Sequence, residues 1–377
     1  SLFTNEDMRT INAFDWDKEF PYIFKNGGFD VVIGNPPYGA NLSDNERIYL
    51  NNKFNLNNTN TACLFIGLAL KILKDNGVNG YIIPKSFIYA SNWENIREKT
   101  FNNLVEIIDC NMVWKEVLLE QVIIILDKSK QLDYYISGIR YNENIKKLCK
   151  IDKRMVIKFG FYLNGISEKE LKIGLKILNV GSFLNDYCIN QRGAPYQKFI
   201  IENLSDYKVL GGKQIKRYFL NGNIKGYISK KDIKEQKAFI NKNSILVQNI
   251  ITYMAEPKPH VKIIATIPDF IITKEYVILD TINQLTVKDN INRKIILAIL
   301  NSKFISWYIC RFIFGMAIIT MHFDNSVTSR IPIPSNCDNP KLIFLVDQML
   351  DAQKLYHNAK TESDKKLYKH KIDLIDK

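Results

Sequence analysis

Short apolar runs and helical stripes alternate through the first third of the chain. Val31 to Ile33 is an apolar run that stops at Gly34; Val78 to Ile83, Leu104 to Ile108 and Glu120 to Leu126 also read as strands. The first, a continuous apolar run, suits a strand buried on both faces, as in a parallel sheet. Between them the period changes. Leu64, Phe65, Leu68, Ile72 and Leu73 recur at i, i+3 and i+4 behind Thr59 and Thr61, either of which can cap, and Gly77 follows as a stop. Trp93 to Phe101 reads as a further helix. Strand, helix, strand, helix, strand predicts an α/β fold with a mostly parallel sheet. Ahead of it, residues 8–15 read as the end of a strand, and Asp17 to Asn26 as a short helix closed by Gly27-Gly28. Residues 39–58 are rich in Asn and lack periodicity; they read as a mobile loop.

Beyond Leu126 the pattern loosens. Asp133-Tyr134-Tyr135 and a lysine-rich helix near Ile145 lead to a boundary near 160–180, and the chain divides into 1–160, 161–336 and 337–377. Glu168 to Leu178 reads as a helix capped by Ser167. Ser244 to Ile251, His260 to Ile267 and Phe270 to Leu279 read as strands of a mixed sheet, and Asn290 to Phe314 as an apolar helix or helix pair. Lys341–Lys360 and Thr361–Lys377 read as amphipathic helices, with Leu345, Val346, Met349, Leu350 and Leu355 on one apolar face.

Composition narrows the class. A chain of 377 residues carries two or three domains, and 46% hydrophobic with 12% aromatic residues is globular. Its richest apolar stretch, Ile295 to Phe314, is broken by Asn301, Ser302, Lys303 and Arg311. Cysteines at 63, 110, 149, 188, 310 and 337 form no C-x-x-C pair, which speaks against zinc and a disulfide framework and suits a reducing cytoplasm. The four histidines show no ligand spacing, so no metal site is expected. Charge is unevenly placed. Residues 1–150 hold 17 Lys+Arg against 18 Asp+Glu, while residues 151–377 hold 35 against 21, so the net +13 lies in the second part. A basic domain behind a neutral one fits a polyanion-binding module joined to a small-molecule enzyme domain; a lysine-rich solvated surface gives the same count.

The candidate chemistry sits at Asn35-Pro36-Pro37-Tyr38, directly after the first apolar run. Two prolines fix φ and lack N–H groups, so the strand must end there in a rigid loop. In doubly wound sheets ligands bind just past the carboxyl ends of strands. Asn-Pro-Pro-Tyr resembles motif IV of the amino-group methyltransferases. The order of elements resembles the latter half of a gamma-class, TaqI-type adenine DNA methyltransferase of a restriction–modification system: a partial Rossmann-like catalytic sheet, an α+β target-recognition domain and C-terminal helices.

The resemblance implies S-adenosylmethionine as cofactor and double-stranded DNA as partner. The Asn35 oxygen and the Pro36 carbonyl would accept hydrogen bonds from an exocyclic amine, and Tyr38 would stack on the flipped base. Trp114, in Asn111-Met112-Val113-Trp114-Lys115, would close over the other face; the alternative is a packing tryptophan. Asp15, Asn35 and Phe65 would line the cofactor site, although Asp15 also reads as a helix cap and Phe65 as core. Gly80 to Phe87 resembles motif VI. The family's glycine-rich motif I has no counterpart before Phe29, so the chain is expected to lack the first third of its catalytic domain and to turn over poorly alone. Tyr187 to Ala194, Lys208 to Tyr218 and Thr328 to Pro334 resemble the TaqI-type recognition domain. Gln191, Arg192, Lys213, Gln214, Lys216, Arg217 and His322 are its candidate DNA contacts. Three other readings stay open: a bifunctional restriction endonuclease–methyltransferase, a specificity module without catalysis of its own, and a glutamine or RNA methyltransferase sharing the motif.

Overall fold

The computed structural model describes residues 14–56, 60–113, 119–179, 181–268, 275–318, 321–334 and 339–376. The chain forms two compact units, Ser1–Glu168 and Lys169–Lys377. The fold is mixed α/β.

The first unit opens with two short helices, α1 (Trp16–Glu19) and α2 (Pro21–Lys25). Then follow β1 (Phe29–Gly34), α3 (Asp44–Phe54), α4 (Thr61–Ile72), β2 (Leu73–Pro84), α5 (Glu94–Thr100), β3 (Leu104–Asn111), β4 (Gln121–Asp127), β5 (Tyr134–Tyr141), β6 (Asn144–Asp152) and α6 (Arg154–Phe159). The six strands make one sheet in the order β1-β2-β4-β3-β5-β6. Only β1 with β2 and β3 with β5 run parallel; the other three pairs are antiparallel. The expectation of a mostly parallel sheet therefore fails. β4 runs back between β2 and β3, and β5 folds onto β6 through a tight hairpin. Strand ends β2 and β3, the start of β4 and the end of β1 consequently share one rim.

Four local expectations are corrected. β1 is not buried on both faces: it lies at the edge of the sheet, with Val31 60% and Ile33 82% exposed. Part of the expected loop over 39–58 is the helix α3, nucleated by a capping box in which Ser43 and Glu46 satisfy each other's backbone N–H groups. Its apolar residues follow no stripe, so periodicity could not reveal it. The lysine-rich segment near Ile145 is strand β6, because Asn142 takes a left-handed conformation (φ 54°) and turns the chain back on β5. Gly77 does not stop a helix. It sits inside β2, where a Cβ would come within 3.0 Å of the Phe29 carbonyl on β1. Thr59 and residues 8–13 lie outside the described residues.

The sheet carries its core on Ile83, Leu104, Ile107, Val122, Ile124 and Leu126, all fully buried. Phe87 stacks on Tyr162 at 5.7 Å and meets Trp93 edge-on at 5.8 Å. Tyr135 donates its hydroxyl to the Leu163 carbonyl at 2.7 Å, which satisfies the one polar atom of a buried ring.

The second unit opens with α7 (Glu168–Leu178), which packs so closely on Phe312 that a Cβ at Gly174 would meet that ring at 2.3 Å. There follow β7 (Gly181–Phe183), α8 (Leu184–Tyr187) and β8 (Cys188–Arg192). Next come β9 (Tyr207–Leu210), β10 (Ile215–Lys216), β11 (Phe219–Leu220), β12 (Gly226–Ile228), β13 (Ser244–Gln248), β14 (Ile250–Met254), β15 (His260–Lys262), β16 (Ala265–Thr266), β17 (Tyr276–Ile278) and β18 (Ile282–Val287). The chain closes with α9 (Arg293–Leu300), α10 (Lys303–Phe312), β19 (Met321–His322), α11 (Asn325–Thr328), β20 (Pro332–Pro334), α12 (Pro340–Asn358) and α13 (Glu362–Ile375). Small sheets dominate: β16-β13-β18-β8, β12-β9-β17 and β15-β14-β19. Helices α9 and α10 are the expected pair, bent by 63° at Asn301–Ser302 and largely buried. Among the described residues no single helix is long and apolar enough to cross a membrane.

Candidate active site

β1 delivers Gly34 to the rim, and the chain leaves it through Asn35-Pro36-Pro37-Tyr38. Pro36 is buried, Asn35 is exposed and Tyr38 is half-buried. The Tyr38 hydroxyl lies 2.9 Å from Asn35 Oδ1 and 3.3 Å from the Ile82 carbonyl on β2, so its proton is shared between the amide and the neighbouring strand. Burial first, and Cys110 second, push Tyr38 up to about 12. Its hydroxyl is therefore a donor at any ordinary pH.

The other side of the loop is pinned by α4. Asn60 caps that helix by accepting from the Ala62 N–H at 3.0 Å. That leaves the Thr61 hydroxyl to donate to the Pro37 carbonyl and to accept from the Ala40 N–H at 3.3 Å. Thr61 thus brackets the turn, a role that sequence reading misses by treating it only as a possible cap. Two consecutive capping residues at one helix start are the available signal. On the same helix Phe65 is 38% exposed while Cys63, Leu64 and Ile66 are buried, so it is not a core residue.

Further along the rim, Lys85 follows β2 and is almost wholly buried. Its Nζ is 2.7 Å from Asp109 Oδ2 and 3.0 Å from Glu120 Oε1. Burial alone would lower its pKa, but the two carboxylates outweigh burial and raise it. Cys110, next to Asp109, is pushed up to about 11 by burial and by that carboxylate.

Asp15 stands apart from this group. It caps α1, accepting from the Lys18 N–H at 3.4 Å and pairing with the Lys18 ammonium at 3.3 Å. That hydrogen-bonded lysine holds its carboxyl below the usual range. Asp15 also lines a cavity of about 850 Å³ with Phe14, Trp16, Glu46, Tyr49 and Leu68, whereas Asn35, Tyr38 and Phe65 do not border it. Trp114 lies outside the described residues.

The candidate DNA contacts of the second unit divide into two groups. Gln191 and Lys213 are exposed. Arg192 is exposed as well, but its side chain, like those of Gln214, Arg217 and His322, is engaged within its own unit. Arg192 donates to the Asp280 carbonyl at 2.6 Å, and Gln214 accepts from the Gly211 N–H at 3.0 Å. Arg217 donates to the Asn301 carbonyl at 2.9 Å and pairs with Asp376 on α13's C-terminal cap. His322 Nδ1 faces Asn249 Nδ2 at 3.0 Å, and Lys216 stands near enough to His357 to help burial lower that ring's pKa.

Comparison with known proteins bears on both units. Residues 3–113 match the model of the Eco57I restriction-modification methylase family, and residues 207–333 that of the TaqI-like C-terminal specificity domain. These two stretches are thus similar to the two parts of an Eco57I/TaqI-like restriction-modification methylase. Among relatives of this chain, RM.MjaORFECS2P of Methanocaldococcus jannaschii is 35% identical over 99 residues, covering 26% of this chain and 8% of that one. The type II methyltransferase M.VspI of Vibrio sp. (strain 343) is 25% identical over 158 residues, covering 40% and 38%. The type II restriction enzyme and methyltransferase RM.Eco57I of Escherichia coli is 33% identical over 100 residues, covering 25% and 9%. The matched segments thus span less than two-fifths of the length of these relatives. In fold, the chain resembles the type IIL restriction-modification enzyme MmeI, solved in complex with DNA. That match has a TM-score of 0.59 and 11% identity over 96% of this chain and 55% of that one.

Proposed function

We propose that the protein is a site-specific DNA methyltransferase that modifies the 6-amino nitrogen of an adenine flipped out of the duplex. The observation that carries this reading is the exposed Asn35 amide at the sheet rim, braced by Tyr38 and by the Thr61-pinned turn. An amide oxygen and the Pro36 carbonyl are two acceptors for one NH2 group. Held together, they orient its lone pair away from the protein without any strong base. Tyr38 offers a ring face for the base, and stacking helps offset the few kcal/mol that extrusion costs. Bound S-adenosylmethionine supplies an electrophilic sulfonium methyl; Asn35 and Phe65 would hold it, whereas Asp15 lines a cavity that neither of them borders. The chemistry present suits it: an exposed phenylalanine suits a purine face, and a carboxylate such as Asp15 suits a ribose.

The second unit would bind DNA through its basic surface and give the enzyme its site preference. Exposed Gln191 and Lys213 are the candidates best placed to reach DNA, while Arg192, Gln214, Arg217 and His322 would act first as internal struts. A second reading, a combined endonuclease and methyltransferase, is favoured by the resemblance to RM.Eco57I, which bears both activities in its name. In that reading, DNA is cut when Mg²⁺ is added.

The test is methylation of unmethylated bacterial DNA by the full-length protein, with N6-methyladenine measured by mass spectrometry. Asn35→Ala and Tyr38→Ala should each lower turnover by about a hundredfold or more with DNA binding retained. Undiminished turnover in either would end the assignment.

A further inference from the structure

The described residues contain one fully buried charge cluster that the proposed chemistry does not use. Lys85, Asp109 and Glu120 come from the ends of three adjacent strands, β2, β3 and β4, and their side chains are 1%, 4% and 4% exposed. The Lys85 backbone N–H adds a bond of 2.8 Å to the Glu120 carbonyl. Such clusters are poor stabilisers. Desolvating the charges costs about as much as their attraction returns, and apolar replacements of the same volume are often neutral or better. Their presence at the rim that carries Asn35 therefore asks for a geometric reason.

The geometry points to Lys85 as a positioning residue that fixes the rim against which Tyr38 and Asn35 are set. This inference rests on the methyltransferase reading above. Three sets of contacts support it. Asp109 uses one oxygen for Lys85 and the other for the Asn111 N–H at 3.0 Å, which holds Asn111 in a left-handed turn (φ 53°) at the end of β3. Gln121, fully buried at the start of β4, accepts from the Val113 N–H at 2.9 Å and donates to the Leu119 carbonyl at 2.6 Å. The chain leaving β3 and the chain entering β4 are thus braced to each other, and Lys85 ties both to the end of β2. Tyr38 rests on the same structure: its hydroxyl meets the Ile82 carbonyl, three residues before Lys85, and Cys110 bears on it electrostatically. β4 joins β2 and β3 by its ladders, but without the lysine the side-chain tie across their ends at the rim would be lost, and the two supports of the Tyr38 ring could shift by small amounts. Small displacements of a reacting group carry large rate costs.

A role in folding alone predicts something different, and the two can be separated. Lys85→Met by itself strands two buried carboxylates and is expected to unfold the domain. The triple variant Lys85→Met/Asp109→Asn/Glu120→Gln removes all the charge, and Asp109→Asn alone leaves Lys85 and Glu120 as a neutral pair. Both are made in the full-length protein and assayed for Tm, and for kcat and KM on unmethylated bacterial DNA with saturating S-adenosylmethionine. We expect Asp109→Asn to fold with nearly unchanged Tm. We expect kcat lower by about tenfold or more and KM for DNA within about twofold. If the triple variant folds, it should show the same split. A kcat equal to wild type in folded Asp109→Asn, or one that recovers in step with Tm in the triple variant, would overturn the positioning role. Asn35→Ala is run alongside: if it too keeps full turnover, the underlying methyltransferase site is what has failed.

Discussion

At the scale of the residue, the site is an amide held still by a phenol. The sequence puts Tyr38 forward as the proposed stacking face, because Asn-Pro-Pro-Tyr follows a strand. Its second role, as a donor to Asn35 Oδ1, is not legible there, since a hydroxyl's partner depends on how the turn closes. The two roles can be separated. Tyr38→Phe keeps the ring and deletes one hydrogen bond worth about 0.5–1.5 kcal/mol. Turnover should fall roughly two- to tenfold by the same principle, well short of the loss in Tyr38→Ala. The titration adds a sign. Tyr38 sits at about 12 in the folded chain against an ordinary 10.0, so both states are protonated below pH 10 and no stability is lost there. Between those values the unfolded chain ionises first, and stability falls as pH rises. Urea denaturation at about pH 9 and pH 11 should show a smaller loss in Tyr38→Phe than in wild type.

At the scale of the element, what periodicity can and cannot show is plain. Helix α4 is legible because its apolar positions repeat, and α9 with α10 for the same reason. Helix α3 escapes because Asp44-Asn45-Glu46-Arg47 and Asn51-Asn52-Lys53 give it no apolar face; its start is written in Ser43 and Glu46 instead. Strand β6 escapes because Lys146, Lys147 and Lys150 mask the alternation that buries Cys149 and Ile151. The buried Lys85 triad is not legible at all, since its members lie far apart in sequence and meet only through strand order. Helix α3 supplies one wall of the cavity beside Asp15, so its cap has consequences beyond the helix. Ser43→Ala should cost about 1 kcal/mol. The loss would register as a lower urea midpoint and faster amide exchange in residues 44–54. An unchanged midpoint would mean that packing, not the cap, holds α3.

At the scale of the whole molecule, the division into two parts is already visible in the charge. The basic surplus falls wholly after residue 150, and the division between the compact units falls after Glu168. Which cations face solvent is beyond the sequence. Arg217 reads as a DNA contact because Lys213 and Lys216 stand beside it, yet it is spent on Asn301 and Asp376. The outermost strand of the catalytic sheet has a colloidal consequence. β1 presents Val31 and Ile33 to water, and among the described residues its backbone is paired along one margin only. Such a margin is adhesive toward any extended peptide, including its own copies. Sedimentation of the isolated chain should reveal association that grows with concentration, and Ile33→Lys should suppress it by setting a charge on the sticky border.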